Sequence, residues 1–205
     1  MLGYWKNETA TAETIKDGWL FTGDLGYLDQ ENYLYVLGRF KSLLISHDGE
    51  KYSPEGIEEA IIDHCPTIDQ IVLYNNQSPY TVAVAVPARD KIKSLLKQHP
   101  QNDEEEKVHF ILNQIQQELA QFKKDGKLQN MFPQRWLPTS IAILPEPFTE
   151  ANKMLNSTMK IVRRVIEVTY NKEIEYLFTP TGKDIMNNHN KLNIRYYLGE
   201  NDKKN

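Results

Sequence analysis

The sequence predicts a mixed α/β (α+β) fold, and three observations carry that expectation. Short β-branched and aromatic runs read as strands: Tyr33-Leu34-Tyr35-Val36-Leu37, and the Ile/Val/Ala-rich stretches 69–74 and 80–86. Between the strand candidates lie stretches with helical spacing, the strongest at Val108, Ile111, Leu112, Ile115, Leu119 and Phe122. The third observation is size: 205 residues, 40% hydrophobic, suffice for one domain with a sizeable core, or for a small domain plus a fragment of another.

In the opening stretch, Gly26-Tyr27-Leu28 and 33–37 form an expected strand pair around the turn Asp29-Gln30-Glu31-Asn32. Two strands with loops cannot build a core alone, so this segment reads as the edge of something larger. Leu43-Leu44-Ile45 is a short buried strand, and His47-Asp48-Gly49-Glu50 a turn with Gly at its tightest point. Ser53-Pro54-Glu55 starts a helix with Ser as N-cap, Ile57, Ala60 and Ile61 give it an apolar face, and Cys65-Pro66 ends it. After the strands at 69–74 and 80–86, covered on at least one face by helices, a helix is expected over 90–98. A longer one is expected over 103–124, with an acidic first turn and Lys123-Lys124 in its last turn. A strand at 140–144, a polar loop at 149–159 and a final helix from near Lys160 follow. Beyond Tyr176 the composition turns polar and Asn-rich, the mark of a poorly packed tail.

Composition narrows the function classes. One cysteine excludes an intramolecular disulfide framework and suits a reducing compartment. No apolar run approaches the roughly 20 residues that cross a bilayer, and Met1–Trp5 lacks the basic and apolar regions of a signal peptide. A formal net charge of −4 argues against general nucleic-acid binding. The expectation is a soluble, cytoplasmic protein without a nucleic-acid partner.

Three constellations can carry chemistry. In Gly18-Trp19-Leu20-Phe21-Thr22-Gly23-Asp24-Leu25-Gly26, a carboxylate held in a glycine-flanked turn suits acceptance from two vicinal hydroxyls, as on a ribose, and Arg39 could add donors. The same residues also fit a plain hairpin with an Asx-type Asp and a surface Arg. Lys160, after a small-residue loop, can be delivered into a site formed elsewhere to neutralise phosphate and carboxylate charge, or it is a solvated basic helix end. Lys41-Ser42, between two differently composed regions, is either solvated or a hinge. The histidines show no metal-ligand spacing, and no metal site is expected in the chain itself.

Taken together and in order, the string Gly3-Tyr4-Trp5…Gly18-Trp19-Leu20…Thr22-Gly23-Asp24-Leu25-Gly26…Gly38-Arg39-x-Lys41…Gly49…Pro54-x-x-Ile57-Glu58 resembles the C-terminal region of the adenylate-forming (AMP-binding) superfamily. Phe148-Thr149…Leu155-x-x-Thr158-x-Lys160-x-x-Arg163 is most similar to the long-chain fatty-acyl-CoA synthetase branch. The resemblance covers residues 1–87 and 138–177. It implies that Asp24 grips both ribose hydroxyls and Arg39 contacts the ribose. By the same resemblance Lys41 is the hinge, the Gly49 loop lines the pantetheine tunnel, and Lys160 orients the carboxylate and the α-phosphate. Lys51 is a candidate for the CoA contact, because no Arg follows Gly49. Two positions depart from the pattern: Asn156 where this branch usually has Thr, and Met159 where most of the superfamily has Gly.

The resemblance further implies a division into 1–40, the β-rich edge of a large ATP-binding domain, 41–177, a small mobile lid domain, and a polar tail at 178–205. The implied reaction is ATP-dependent: a fatty acid and Mg-ATP give acyl-adenylate, which passes to CoA, or to acyl carrier protein in a related class. Phosphate loop, acyl pocket and magnesium ligands are not found in the chain. It is therefore expected to be the C-terminal portion of a larger enzyme, inactive alone, partnered by the missing large domain and capable of peripheral membrane contact. A stand-alone binding module derived from the lid is the non-catalytic alternative.

Overall fold

The computed structural model describes residues 1–199, the Leu37 side chain excepted, and divides into two compact units, Met1–Leu43 and the chain from Leu44 onward. In the first unit, helix α1 (Glu8–Thr14) is capped by Asn7, whose side-chain oxygen accepts from the Ala10 amide at 2.9 Å. The two-residue strands β1 (Ile15–Lys16) and β2 (Trp19–Leu20) pair antiparallel. Strands β3 (Asp24–Leu28) and β4 (Leu34–Arg39) form a hairpin. Its turn is set by Asp29, which accepts from the Glu31 and Tyr33 amides at 2.9 Å each, and by Asn32 in the left-handed region. At the bulge between Leu25 and Gly26, a Cβ on Gly26 would stand 2.7 Å from the Tyr35 carbonyl oxygen, so only glycine fits. None of the described side chains of this unit is buried; Trp5, Trp19, Phe21 and Tyr33 are among its exposed aromatics.

The second unit begins with β5 (Leu44–Ser46), β6 (Lys51–Tyr52), α2 (Glu55–His64), β7 (Ile68–Tyr74), β8 (Asn76–Ser78) and β9 (Val82–Pro87). Helices α3 (Arg89–Gln98) and α4 (Glu104–Ala120), strand β10 (Ser140–Ile143), and helices α5 (Arg163–Thr169), α6 (Asn171–Tyr176) and α7 (Asn188–Gly199) follow. One sheet has the order β6-β5-β8. The other has the order β10-β9-β7, with β7 antiparallel and β10 parallel to the central strand.

Every residue of β9 is buried, because its alternating side chains feed two cores. Ala83 and Ala85, with Ile71, Leu73, Ile141 and Ile143, pack beneath α2, α4 and α7. Val82, Val84 and Val86, with Val72, Ala142 and Leu144, pack against Phe148, Ile166 of α5 and Ile174 of α6. Helices on both faces explain the near-continuous apolar reading of these strands.

Several boundaries differ from expectation. Ser53 does not cap α2; the cap position is Pro54, which has no side-chain oxygen to offer. Asp103 caps α4 by accepting from the Glu106 amide, but the helix ends at Ala120, so Lys123 and Lys124 lie beyond its last turn. The helix expected from near Lys160 starts at Arg163 and is not the final one, since α6 and α7 follow it.

The largest difference is the stretch after Tyr176, which is packed rather than loose as far as it is described; residues 200–205 lie outside the described residues. Its polar residues do the packing. Asn190, fully buried on α7, accepts from the Ile143 amide at 2.8 Å and donates to the Ile141 and Ile185 carbonyls at 3.0 Å. Asn193 donates to the Ile143 carbonyl at 2.8 Å. The asparagines that read as a tail composition instead satisfy the free edge of β10, as a neighbouring strand would. Arg195 and Lys191 of α7 also pair with Glu105 of α4.

Candidate functional site

The β3–β4 hairpin places Asp24 directly opposite Arg39, and Arg39 Nε lies 3.1 Å from Asp24 Oδ1. Both ends of this pairing are pinned: the Asp24 amide donates to Thr22 Oγ1 at 3.0 Å, and the Phe40 amide to the Gly23 carbonyl at 2.9 Å. The side chains remain accessible, 39% for Asp24 and 62% for Arg39. An exposed pair of this kind is worth about 1 kcal/mol or less, so it can yield to a hydroxyl-bearing ligand. The carboxylate is therefore already shared with Arg39. Lys41 is exposed within the 3-10 turn Phe40–Ser42, two residues before the end of the first unit.

Gly49 sits in the β5–β6 turn with φ +83° and nothing within 4 Å of a would-be Cβ, so its requirement is conformational rather than steric. Its amide donates to the Ser46 carbonyl and the Ser46 amide to the Glu50 carbonyl, both at 2.9 Å. Ser46 Oγ donates to the Asp48 carboxylate, which also accepts from the Glu50 amide. These bonds hold the Asp48 carboxyl below its ordinary range. Lys51 is exposed at the start of β6.

Lys160 lies on a tight loop closed by an isolated bridge between Leu155 and Ile161. Asn156 organises it: its Oδ1 accepts from the Thr158 amide at 2.9 Å, the Thr158 hydroxyl at 2.8 Å and the Lys160 amide at 2.9 Å. Met159 takes φ +61°, the left-handed backbone that glycine adopts without strain. The Lys160 ammonium is exposed and has no hydrogen-bond or ion-pair partner among the described residues.

Three residues on, Arg163 anchors the loop. Its guanidinium forks onto Glu58 of α2, with Nη1 at 2.9 Å from Oε1 and Nη2 on Oε2. Oε1 also accepts from the Leu73 amide at 2.6 Å. The pair is buried, with side-chain exposures of 13% for Arg163 and 6% for Glu58.

Asp24 and Arg39 are thus brought together in the first unit, while Gly49, Lys51 and Lys160 belong to the second, on two separate turns. Asn156 and the Glu58–Arg163 pair were not anticipated. The Asn-x-Thr-x-Lys spacing and the positions Glu58 and Arg163 were visible, but their mutual contact was not. Cys65 is buried, and burial pushes its thiol up to about 12, which suits packing and not nucleophilic chemistry.

The fold is shared with adenylation domains. The chain superposes on the adenylation domain of a carboxylate reductase from Mycobacterium chelonae with a TM-score of 0.67 at 24% identity, covering 86% of this chain and 26% of that one. For the corresponding domain of a carboxylic acid reductase from Segniliparus rugosus, solved with AMP and a co-purified carboxylic acid, the TM-score is 0.65 at 23% identity, with the same coverages. Its relatives in sequence are CoA ligases. A 2-succinylbenzoate–CoA ligase of Bacillus cytotoxicus is 40% identical over 121 residues, 59% of this chain and 22% of that protein. A long-chain-fatty-acid–CoA ligase, FadD15, of Mycobacterium tuberculosis is 29% identical over 177 residues, 86% of this chain and 29% of that protein. The chain therefore spans between a fifth and a third of the length of these relatives. No family model matches it.

Proposed function

We propose that the chain is the C-terminal portion of an ATP-dependent acyl-CoA synthetase, with 1–40 the edge of the large ATP-binding domain and the chain from Lys41 onward the mobile lid. The observation that carries this reading is the Lys160 loop. An unpaired ammonium stands on a turn built by Asn156 and anchored by a buried ion pair, as delivery of charge into a site formed elsewhere requires. The exposed aromatics of the first unit, none of whose described side chains is buried, support the reading that it belongs to something larger.

In this reading Asp24 and Arg39 hold the ribose of ATP and then of the adenylate, Asp24 as acceptor and Arg39 as donor. Lys160 balances charge on the substrate carboxylate and the α-phosphate as the carboxylate attacks phosphorus and pyrophosphate leaves. Rotation about Lys41 then withdraws Lys160 and brings the Gly49 turn, with Lys51, to the thiol of CoA, which displaces AMP. Magnesium would be held by residues outside the chain.

A long-chain fatty acid is the proposed acyl substrate, supported by the extent of the long-chain ligase match, 86% of the chain. The higher identity of the 2-succinylbenzoate ligase, 40%, favours an aromatic acid as the second reading. Thioester formation by the intact protein, assayed with ATP, CoA and each acid in turn, decides between them. Thioester on carrier protein but not on CoA would point instead to an acyl-carrier-protein ligase. No adenylation of any acid would overturn the enzyme reading and leave a binding module. No helix among the described residues is long and apolar enough to cross a membrane.

A further inference from the structure

We infer that Arg135 and Trp136 are positioning residues for the Gly49 turn, holding it in the shape that the thiol-transfer step uses; the functional half of this inference rests on the reading of Gly49 above. Both residues come from 88–137, the stretch outside the family resemblance.

The turn's own hydrogen bonds define its shape but do not tie it to the rest of the unit. Glu50, the next residue, does. Its Oε2 accepts from Arg135 Nε at 2.5 Å and from Trp136 Nε1 at 2.8 Å. Two donors with fixed directions on one carboxylate oxygen define where that side chain, and the backbone beside Gly49, can sit. The far end of the same hairpin is held by the same segment. The Trp136 ring stacks on Tyr52 with centroids 5.1 Å apart and planes within 3°. The Tyr52 hydroxyl meets Thr81 Oγ1 at 2.5 Å, and Thr81 Oγ1 donates to the Arg135 carbonyl at 3.3 Å. Arg135 and Trp136 therefore hold the β6 side of the hairpin at two points, Glu50 beside the glycine and Tyr52 at the far end of the strand.

The Arg135–Glu50 pair is exposed, at 58% and 31% of the side chains, so it adds little to global stability. What it supplies is local geometry. Arg135→Ala should accordingly change the turn and the step it serves, leaving overall unfolding nearly unmoved.

Two measurements test this. In the 205-residue chain, amide exchange at Gly49 should rise about tenfold in Arg135→Ala, with thermal unfolding changed by a few degrees at most. Trp136→Phe, which keeps the stack but removes the donor, should raise it less, and Arg135→Lys should partly restore protection. Unchanged exchange at Gly49 in both Arg135→Ala and Trp136→Phe overturns the inference. Should Arg135→Ala not fold, Trp136→Phe and Arg135→Lys carry the comparison.

In the intact protein, Arg135→Ala should lower kcat for thioester formation from supplied acyl-adenylate by about tenfold, with KM for CoA within about twofold and adenylation unaffected. A rise in KM at constant kcat would overturn the positioning role, because it would mean that Arg135 touches the thiol substrate. Equal loss in both half-reactions would overturn it as well. An intact parent protein that makes no thioester removes the proposed function, and the exchange experiment then decides the clamp by itself.

Discussion

Arg163 reaches from the first turn of α5 to Glu58 on α2, and both side chains are buried where the Leu73 amide also meets the Glu58 carboxylate. Beside the buried Met154 and Leu155, the Arg163 guanidinium thereby fastens the loop that presents Lys160 to α2 and to the Leu73 carbonyl of β7. Breaking one side of a buried pair leaves an uncompensated charge, which costs about 3–5 kcal/mol. Glu58→Ala should therefore lower the urea midpoint strongly, and Arg163→Met combined with Glu58→Leu should recover much of the loss. A double variant no better than the single one would show that the pair's hydrogen bonds to β7 matter more than its charges.

Asn156 and Met159 set the local shape of the same loop, one by three accepted hydrogen bonds and the other by a strained backbone. Asn156→Ala should speed tryptic cleavage after Lys160 by about tenfold, since local opening governs proteolysis. Left-handed backbone costs an L-residue roughly 1–2 kcal/mol, partly offset for glycine by its greater freedom when unfolded. Met159→Gly should thus be neutral or stabilising by about 0.5–1 kcal/mol, and Met159→Val destabilising by about 1 kcal/mol or more, both read by urea denaturation.

Asn190 closes the β10 edge by accepting from the Ile143 amide and donating to the Ile141 carbonyl. Asn190→Leu leaves buried backbone groups of Ile141 and Ile143 without partners, at about 1–3 kcal/mol each. Loss of stability in denaturation should be accompanied by association through the uncovered edge, seen in light scattering. A monomeric, fully stable Asn190→Leu variant would contradict the edge-sealing role of α7.

Glu50 gives the Gly49 clamp a pH signature. The hydrogen bond from Arg135, then that from Trp136, hold its carboxyl below the ordinary 4.5, while burial and Asp48 oppose them. The folded value lies below the unfolded one, so the clamp's stabilisation is complete above the unfolded value and is lost as pH falls through the folded one. With Trp5 and Trp19 replaced by Phe, Trp136 fluorescence should stay constant from pH 8 down to about 5 and change only at lower pH. Glu50→Gln should abolish that acid transition.

The strands of the β10-β9-β7 sheet and helices α2 and α4 were legible because their apolar signal is strong, as in Val108–Ile115 of α4 and the continuous apolar run of β9, whereas the short strands β1, β2, β6 and β8 and helices α1 and α7 were not. Other features depended on distant partners. Asn190 and Asn193 look like a disordered composition until β10 offers them its edge, and Arg135 lies 85 residues from the carboxylate it binds. Asp24 and Arg39 could be named from the turn chemistry around them, but not their cross-strand pairing. Met159 was visible only as a departure; its positive φ supplies the physical reason that glycine suits the position.

The role proposed for Lys160 is the central claim, and separating the two half-reactions tests it most directly. In the intact protein, Lys160→Ala should slow acyl-adenylate formation by about 10²–10³-fold, the loss expected when a charge-stabilising donor is removed, while thioester formation from supplied acyl-adenylate continues at nearly the parent rate. Equal loss in both steps, or an unchanged adenylation rate, would contradict it.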